Sequence, residues 1–529
     1  MNRQMIYDTV VVGAGAAGLT AAAYLAKGGH RVLLCEKNAK VGGLVSSFEQ
    51  DGFVFDAGVR AFEDSGILLP MLRQLGIELP MVQNPVTLAI GNDQVRLTGP
   101  ESLADYGAML KRQFADQTAE IDAILAEIKK VMGYMKVLYG IENPLFLDIA
   151  GDTGYLLHTL LPWLFQYQKN IHKAMRLSQP VAEYLAKFTT SKALIDVIAQ
   201  HFFENTPTFF ALSYFSLYLD YRYPKGGTGM FAEALAQQVR AQGGEIKCGT
   251  KITAIYPNEH RLEADTGKSV LYRSLIWAAD SKALYAALHG LDTRRLPALA
   301  VQKNRVSAHR GGDSVLSVYL ALDVDAQVIA DRFGPHCFFT PTLRGLSAAP
   351  PLDGSLPKEQ CKWAIADYLA TTTYEISCPV LRDETLAPPG KSGLMVSTLF
   401  PYEVARGIRA AGWYDELKQF CIDAVVTMLD NALPGGLQGR VLFALCSTPL
   451  TIQQYAGSAD GAITGWAFGG GPLPAETRMT KIARSIKTPL PGIYQAGQWA
   501  FSPAGLPVCV LTGKLAADAV AKQMAKENG

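Results

Sequence analysis

The sequence lacks the features that mark several large classes of protein. Its eight cysteines are scattered without a close pair, so we expect neither a disulfide framework nor a thiolate metal site, and we expect a cytoplasmic protein. The eight histidines form no H-x-x-x-H pair, and we predict no bound metal. The 49 basic and 48 acidic residues leave a net charge of +1, which argues against a nucleic-acid partner.

The chain also lacks a long apolar stretch that is free of helix breakers. Its longest charge-free stretch, residues 488–513, contains four prolines and several glycines, so we do not predict a membrane-spanning helix there. What the chain has is length and apolar content. Its 529 residues are 49% hydrophobic and 18% charged, which is enough for two or three domains with large cores.

A nucleotide-binding unit opens the chain. Residues 6–12 are β-branched and apolar, residues 16–27 have an alanine-rich helical pattern, and residues 31–35 form a second buried-strand run. The turn before the helix is a G-x-G-x-x-G motif made of Gly13, Ala14, Gly15, Ala16, Ala17 and Gly18. This β-α-β order is the context that a dinucleotide-binding motif requires.

Each part of this motif has a physical role. Gly13 permits the tight turn, Gly15 lets the backbone approach a pyrophosphate, and Gly18 allows the helix and the strand to pack closely. The helix N-terminus adds N–H donors and a positive dipole end. Glu36 closes the second strand, where its carboxylate can accept from both hydroxyls of an adenosine ribose and repels a 2′-phosphate.

Later segments favour FAD over NAD. Gly42 and Gly43 follow the ribose-binding acid, residues 53–58 form a short strand, and residues 491–498 form a late strand that ends in glycine. A turn at residues 505–507 then opens a final helix, whose N-terminal dipole can stabilise negative charge near N1 and O2 of a reduced flavin.

Two other glycine-rich segments, residues 225–229 and 469–471, follow no predicted strand. A separate nicotinamide domain is therefore not predicted.

Several of these segments resemble one group of flavoproteins. The resemblance is carried by the opening motif, by Glu36 with Gly42-Gly43, and by residues 223–227, 374–377 and 492–517. On these residues the chain resembles the phytoene desaturase, carotenoid isomerase and retinol saturase group, which is related to the flavin amine oxidases. The resemblance implies non-covalent FAD, a helix-rich substrate or membrane domain, and redox or isomerisation of C–C and C=C bonds in long isoprenoids.

The predicted cofactor-binding residues follow from the motifs together with this resemblance. They are Gly13, Ala14, Gly15, Ala16, Ala17, Gly18, Glu36, Lys37, Gly42, Gly43, Leu44, Val45, Ile252, Gly497, Gln498, Leu506 and Val508. The chain departs from the group at two of them. Leu44 stands where many relatives have arginine, and Gln498 stands where many related flavoproteins have an acid.

The predicted fold class is α/β. We expect a Rossmann-type FAD-binding domain assembled from residues 1–66, 223–290 and 488–529. An inserted α+β substrate domain would take residues 67–222 and 291–487. Within it, residues 67–220 are predicted to be mostly helical, and a helical, membrane-associated part would lie at about 102–220.

Two aromatic segments of the insertion each have two interpretations. Residues 160–167 run into a basic face at Lys169, His172, Lys173 and Arg176, which fits either a helix on a membrane surface or an amphipathic helix packed on its own domain. The aromatic residues between Phe202 and Tyr218 fit either a hydrophobic core or the lining of a tunnel.

The leading hypothesis is an FAD-dependent oxidoreductase that desaturates, saturates or isomerises an apolar, lipophilic, isoprenoid-like substrate such as a carotenoid or a retinoid. No catalytic acid or base stands out, although Arg60 and His336 are the first polar groups to inspect. A flavin amine oxidase is an alternative, ranked lower because few carboxylates stand near the predicted flavin segments. A non-enzymatic lipid-binding escort is another. Nothing in the sequence sets the oligomeric state.

Overall fold

The computed structural model describes residues 6–148, 153–469 and 471–528. Two mixed sheets of seven strands each, covered by helices, form its framework. The strands are β1 (Ile6–Val12), β2 (Val32–Cys35), β3 (Ser47–Gln50), β4 (Phe53–Asp56), β5 (Met81–Gln83), β6 (Val86–Ile90), β7 (Asp93–Leu97), β8 (Arg222–Pro224), β9 (Glu245–Lys247), β10 (Ile252–Tyr256), β11 (Arg261–Ala264), β12 (Ser269–Trp277), β13 (Val315–Leu322), β14 (His336–Thr340), β15 (Tyr374–Ser377), β16 (Ser392–Leu399), β17 (Val441–Ser447) and β18 (Ile493–Gln495).

The helices connect and cover these strands. They are α1 (Ala16–Lys27), α2 (Leu68–Leu75), α3 (Ser102–Gln113), α4 (Thr118–Leu138), α5 (Thr153–Tyr155), α6 (Leu161–Met175), α7 (Val181–Leu185), α8 (Lys192–Ala199), α9 (Thr208–Leu217), α10 (Gly229–Ala241), α11 (Ser281–Ala286), α12 (Pro297–Ala308), α13 (Ala326–Arg332), α14 (Lys358–Thr371), α15 (Tyr402–Ala410), α16 (Tyr414–Ala432), α17 (Pro449–Ala456), α18 (Ile482–Ser485) and α19 (Leu506–Asn528). A π-helical turn, Leu156–Leu160, joins α5 to α6.

The first sheet joins the two ends of the described chain. Its parallel strands run in the order β18, β12, β1, β2, β9, and β11 and β10 continue it antiparallel beyond β12. The run of apolar residues in β1 fits a strand covered on both faces. Helices α1, α2, α10 and α19 share one hydrophobic core on this sheet. The carboxyl ends of β1 and β18, almost 500 residues apart in sequence, therefore lie in the same sheet.

The second sheet runs in the order β17, β13, β16, β15, β14, β6, β7. All its neighbours are antiparallel except β14 and β6, which are parallel. Helices α14, α15 and α16 share a core with one face of the sheet. Helices α3, α4, α8 and α9 form another core with β6 and β7.

The predicted mixed α/β architecture is confirmed, and so is the mostly helical character of residues 67–220, which contain α2 to α9. This region also contains the short strands β5, β6 and β7, and Gly91, with φ of +54°, turns β6 into β7 as a tight hairpin. One local prediction is wrong: the sequence pattern of residues 245–255 predicts a single strand, whereas these residues form two strands, β9 and β10, at opposite ends of the first sheet. The predicted division into two domains stays a prediction.

Candidate functional site

The G-x-G-x-x-G turn has the backbone that its glycines require. Gly13 has φ of +98°, and a Cβ there would approach the carbonyl oxygen of Ala278 to 2.7 Å. A Cβ on Gly18 would overlap the carbonyl oxygen of Gly13. Gly15 differs, since a Cβ there would meet nothing within 4 Å. The space above Gly15, at the N-terminus of α1, is therefore open to a ligand.

Glu36 lies directly beside this turn. Its side chain is 6% exposed, and Oε2 accepts the backbone N–H of Ala14 at 2.8 Å. Oε1 accepts the N–H of Asn38 at 2.9 Å, and the N–H of Thr250 donates to the Glu36 carbonyl at 2.7 Å. Ile252, two residues after Thr250, begins β10 and is buried. The Glu36 carboxylate is thus held at the edge of the turn by backbone donors.

The side chain of Lys37 points away from the glycine turn that Glu36 contacts, towards α17. Its Nζ donates to the carbonyl of Gln454 at 2.8 Å, and burial lowers its pKa. The ammonium group of Lys37 therefore ties the loop after β2 to α17.

The second glycine turn packs on the first. The N–H of Gly42 donates to the Ala14 carbonyl at 2.8 Å, and a Cβ on Gly43 would lie 3.5 Å from Cα of Gly15. Leu44 accepts the N–H of Val59 at 2.9 Å through its carbonyl. Val45 is buried, whereas the side chain of Leu44 is half-buried. Residues 13–18, 42–45 and 58–60 therefore form one continuous surface.

The C-terminal segments close this surface from the other side. The N–H of Gly497 donates to Thr512 Oγ1 at 2.9 Å, and a Cβ on Gly497 would lie 3.4 Å from Cβ of Ala17. A Cβ on Gly513 would overlap the carbonyl oxygen of Ala17, so α1 and α19 cross in close contact. Ala14, Ala16 and Ala17 are buried in this crossing.

Three other predicted contacts lie around the start of α19. Leu506 is buried in the first turn of the helix, and Val508 is half-buried one residue beyond Pro507. The Gln498 amide lies 3.4 Å from Ser458 Oγ and 3.5 Å from the Ala462 carbonyl. The structure therefore gathers the predicted segments at one place.

These residues fit an FAD molecule. The open space over Gly15 and the free backbone donors at the start of α1 suit a pyrophosphate. The fixed carboxylate of Glu36 suits a ribose, and the first turn of α19 offers a second positive dipole end.

Comparison with known proteins agrees with this geometry. The family model described as flavin-containing amine oxidoreductase matches residues 16–521. The chain belongs to this family. The predictions of an FAD-dependent oxidoreductase and of an FAD cofactor are thereby confirmed.

This flavoprotein is similar in sequence to a prolycopene isomerase and to a retinol reductase, and similar in fold to a putrescine oxidase. The chloroplastic prolycopene isomerase of Daucus carota is 23% identical over 550 residues, which cover 100% of this chain and 82% of the relative. The all-trans-retinol 13,14-reductase of Danio rerio is 23% identical and covers 93% and 82%. The structure of a putrescine oxidase variant superposes with a TM-score of 0.61 at 14% identity, covering 98% and 99%. That likeness shows the shared fold.

Asp56 attaches the loop of residues 223–229 to the β3–β4 hairpin. The Oδ1 atom of Asp56 accepts hydrogen bonds from the hydroxyl of Ser47 and from both the N–H and the hydroxyl of Thr228, each at 2.8 Å. Its Oδ2 accepts the hydroxyl of Tyr223 at 2.8 Å. Asp56 is fully buried and thereby ties the β3–β4 hairpin to β8 and the start of α10.

The second sheet carries a polar row on the face opposite α14–α16. In cross-strand register from β17 to β15, this row consists of Ser447, Ser317, Ser397 and Glu375. The apolar Phe338 on β14 and Leu88 on β6 continue the same register. Arg60 lies against it, because its Nη2 donates to Ser397 Oγ at 2.7 Å. Arg382 donates to Ser377 Oγ at 2.7 Å and stacks on the ring of Tyr223 at 3.8 Å.

His336 and Glu375 face each other on this sheet. His336 Nε2 lies 3.2 Å from Glu375 Oε1. Burial lowers the pKa of His336, and Glu375 opposes this only in part. Burial raises the pKa of Glu375, but His336, Arg60 and Arg382 outweigh burial and lower it. Arg60 and His336, singled out from the sequence, are thus members of a buried network with a neutral imidazole and an ionised carboxylate.

A large cleft lies between α3 and α4, and its wall combines apolar side chains with eight charged ones. Its volume is about 1120 Å³, and residues 64–66, 139–142 and 216–220 complete its wall. Of the aromatic residues predicted as core or tunnel, Phe202, Phe215 and Tyr218 are buried. The others in that set, Phe203, Phe209, Phe210 and Tyr214, are half-buried.

Sequence reasoning missed one group at this site. Glu63 precedes Asp64 of the cleft wall and lies beside the start of α19, with Oε1 3.4 Å from the position of a Cβ on Gly505. No motif marks Glu63, because its neighbour in space is more than 400 residues away in sequence. The expectation of few carboxylates near the flavin segments therefore overlooked this one.

Proposed function

We propose that this flavoprotein changes the oxidation state or the geometry of C–C and C=C bonds in a long apolar isoprenoid. The observation that supports this most is the cleft between α3 and α4, which is large enough for an extended hydrocarbon and has the apolar side chains of Leu103, Leu125 and Met132 on its wall. The full-length similarity to a prolycopene isomerase and a retinol reductase points to the same substrate class.

The residues of the chain would bind and orient the FAD and shield the reacting carbon of the substrate from water. The turn at Gly13–Gly18 and the N-terminus of α1 would hold the pyrophosphate, and Glu36 would accept from the adenosine ribose. The first turn of α19 would stabilise negative charge on the flavin ring. Bound FAD supplies the acceptance or donation of a hydride at a substrate carbon. The cleft would hold that carbon away from bulk water.

Product analysis tests this proposal. The purified protein, in oxidised and in dithionite-reduced form, is incubated anaerobically with prolycopene or all-trans-retinol in detergent, and the products are separated by chromatography and mass. We expect one of these polyenes to be isomerised, saturated or desaturated. If neither polyene is converted by the oxidised or by the reduced protein, the result contradicts the proposal.

Amine oxidation is a second candidate because of the carboxylates in the site. Glu63 and Glu375 both act electrostatically on Tyr214 and Tyr221, so acidic and aromatic groups share one region, as a site for an organic cation requires. Release of hydrogen peroxide on aerobic addition of putrescine would support this candidate. Without such release, the polyene proposal stands alone.

We also propose peripheral membrane contact through the surface of α6 and the π-helical turn before it. Leu157, Leu161, Leu164 and Phe165 are exposed there, with Phe165 at 74%, and Lys169 and Lys173 follow in the same helix. An apolar face next to basic residues fits the headgroup region of a bilayer. No helix in the described ranges is both long and apolar enough to cross a membrane.

Vesicle binding tests the membrane proposal. We expect wild-type protein to sediment with phosphatidylcholine vesicles that contain phosphatidylglycerol, and Phe165→Ser to weaken this. Trp363→Ser is the matched control, because Trp363 is similarly exposed, at 64%, on α14. Equal binding by the two variants would contradict the assignment to α6.

A further inference from the structure

Glu63 lies on a rigid segment at the meeting point of three elements. Phe62, the residue before it, exchanges two backbone hydrogen bonds with Arg222, at 2.9 and 2.8 Å. The Glu63 carboxylate reaches Gly505, the residue that precedes α19. The residue after it, Asp64, lines the cleft between α3 and α4. Glu63 therefore lies between the cleft and the helix turn that faces the flavin.

The neighbouring acids have structural roles, whereas Glu63 has none. Asp64 Oδ1 accepts the N–H of Leu69 at 2.7 Å at the start of α2. Asp220 Oδ2 accepts the N–H of Asp64 at 3.0 Å. In the part of the chain that the structure describes, the only hydrogen bond to the Glu63 carboxylate comes from its own backbone. A half-buried carboxylate that no other residue bonds or pairs with is costly to the fold, which is typical of a functional group.

The groups around Glu63 leave its charge uncompensated. Asp220 approaches from the turn before β8 and repels it. Arg222 on β8 lies 3.9 Å from Asp220 and lowers the pKa of Asp64, but among the described residues no cation lowers the pKa of Glu63. The groups on which the charge of Glu63 acts are neutral side chains, namely Tyr139 after α4, Tyr214 on α9, Tyr221 before β8 and Cys509 in α19. Burial, with a smaller contribution from Asp220, raises the pKa of Glu63 to about 7. Its carboxyl group is thus able both to hold and to release a proton near neutral pH.

Glu375 provides the contrast within the same region. Its neighbours His336, Arg60 and Arg382 lower its pKa, so it stays ionised. Two carboxyl groups whose surroundings move their pKa values apart are a recurrent arrangement for acid–base work. Of the two, Glu63 is the one that can donate a proton.

We propose that Glu63 exchanges the proton that C–C redox chemistry at this site requires; this rests on the function proposed above. In the saturating direction, the Glu63 O–H bond breaks and its proton goes to one carbon of the double bond. The hydride supplied by reduced flavin goes to the other carbon. The π bond is replaced by two C–H bonds, the flavin is oxidised, and the carboxylate regains a proton from water. Desaturation runs in reverse.

A spectral titration tests the placement of Glu63 without any substrate. The visible absorbance of the bound oxidised flavin is recorded from pH 5 to 9 for wild type, Glu63→Gln and Asp64→Asn. We expect a transition near pH 7 in wild type and in Asp64→Asn, and its loss in Glu63→Gln. If Glu63→Gln does not retain flavin, Glu63→Asp replaces it, and a transition displaced from the wild-type pH is expected. A transition that is unchanged in the Glu63 variant overturns the proposal.

Turnover separates this proposal from the proposed function. With whichever of prolycopene or all-trans-retinol the wild type converts, Glu63→Gln should lose about 10² to 10⁴-fold in kcat with little change in KM. Chemical reduction of its flavin by dithionite should be unaffected. Equal kcat in the two proteins overturns the proton role. A Glu63-dependent spectral transition in a protein that converts neither polyene supports the placement of Glu63 and counts against the proposed function.

Discussion

At the scale of single residues, substitutions at Gly15 and Gly18 should have different effects: the first on cofactor binding and the second on folding stability. Gly15 has φ of −76° and open space where a Cβ would lie. Gly15→Val should therefore purify without flavin, because its side chain fills the place of the cofactor, and should unfold at the melting temperature of flavin-free wild type. Gly18→Ala should lose about 3 kcal/mol of stability through overlap with Gly13. Visible absorbance and thermal unfolding check both, and a fully flavin-loaded Gly15→Val would refute the placement of the cofactor.

Glu63 also makes a prediction about stability and pH. Its folded-state pKa of about 7 is above the ordinary value of 4.5, so the folded protein binds more protons than the unfolded chain between these pH values. Stability should fall as pH rises from about 5 to 8. Glu63→Gln should remove this loss and be more stable than wild type at pH 8, by about 3 kcal/mol. Denaturant unfolding at pH 5 and pH 8 measures the free energy of unfolding of both proteins. If the difference between them is the same at the two pH values, the prediction is contradicted.

At the scale of elements, the crossing of α1 and α19 decides whether the two ends of the chain stay together. A Cβ on Gly513 would overlap the carbonyl oxygen of Ala17, so Gly513→Ala should push the helices apart. We expect a loss of about 2–4 kcal/mol and weaker flavin retention. Gly133→Ala, at an exposed position of α4, is the control, since nothing lies within 4 Å of a Cβ there and alanine should stabilise the helix slightly. Equal effects of the two changes would contradict a tight crossing.

The same scale shows how far sequence patterns lead. Helix α1 and strand β1 have the predicted limits, because hydrophobic period and glycine position agree over the whole unit. The hairpin of β6 and β7 was missed, although Gly91-Asn92 between alternating apolar residues is a recognisable hairpin turn. Strands β9 and β10 were merged because residues 248–251 carry no strong turn residue other than Gly249.

At the scale of the whole molecule, the cleft is the proposed way in for the substrate. Ala108 is exposed on α3 and lines the cleft, so Ala108→Trp should obstruct it. We expect kcat/KM to fall at least tenfold for prolycopene and less for the shorter all-trans-retinol. Ala119→Trp, exposed on α4 but away from the cleft lining, should leave both unchanged. If Ala108→Trp lowers kcat/KM equally for both substrates, or for neither, the substrate does not enter through this cleft.

The site divides into a part that sequence predicts and a part that it does not. Gly15 and Glu36 belong to a local pattern whose spacing is set by one β-α-β unit, so they are visible in the sequence. Glu63 near Gly505, and Arg60 on Ser397, depend on contacts between segments hundreds of residues apart. Single-sequence periodicity holds no information on such contacts, which only the register of the second sheet and the position of α19 establish.

The most direct measurement is anaerobic stopped-flow absorbance of the bound flavin, with product analysis of the same samples. The account predicts that a polyene, prolycopene or all-trans-retinol, is converted by the enzyme in one redox state, while putrescine leaves the spectrum of the oxidised flavin unchanged. Rapid bleaching of the oxidised flavin by putrescine, with both polyenes recovered intact, would contradict it.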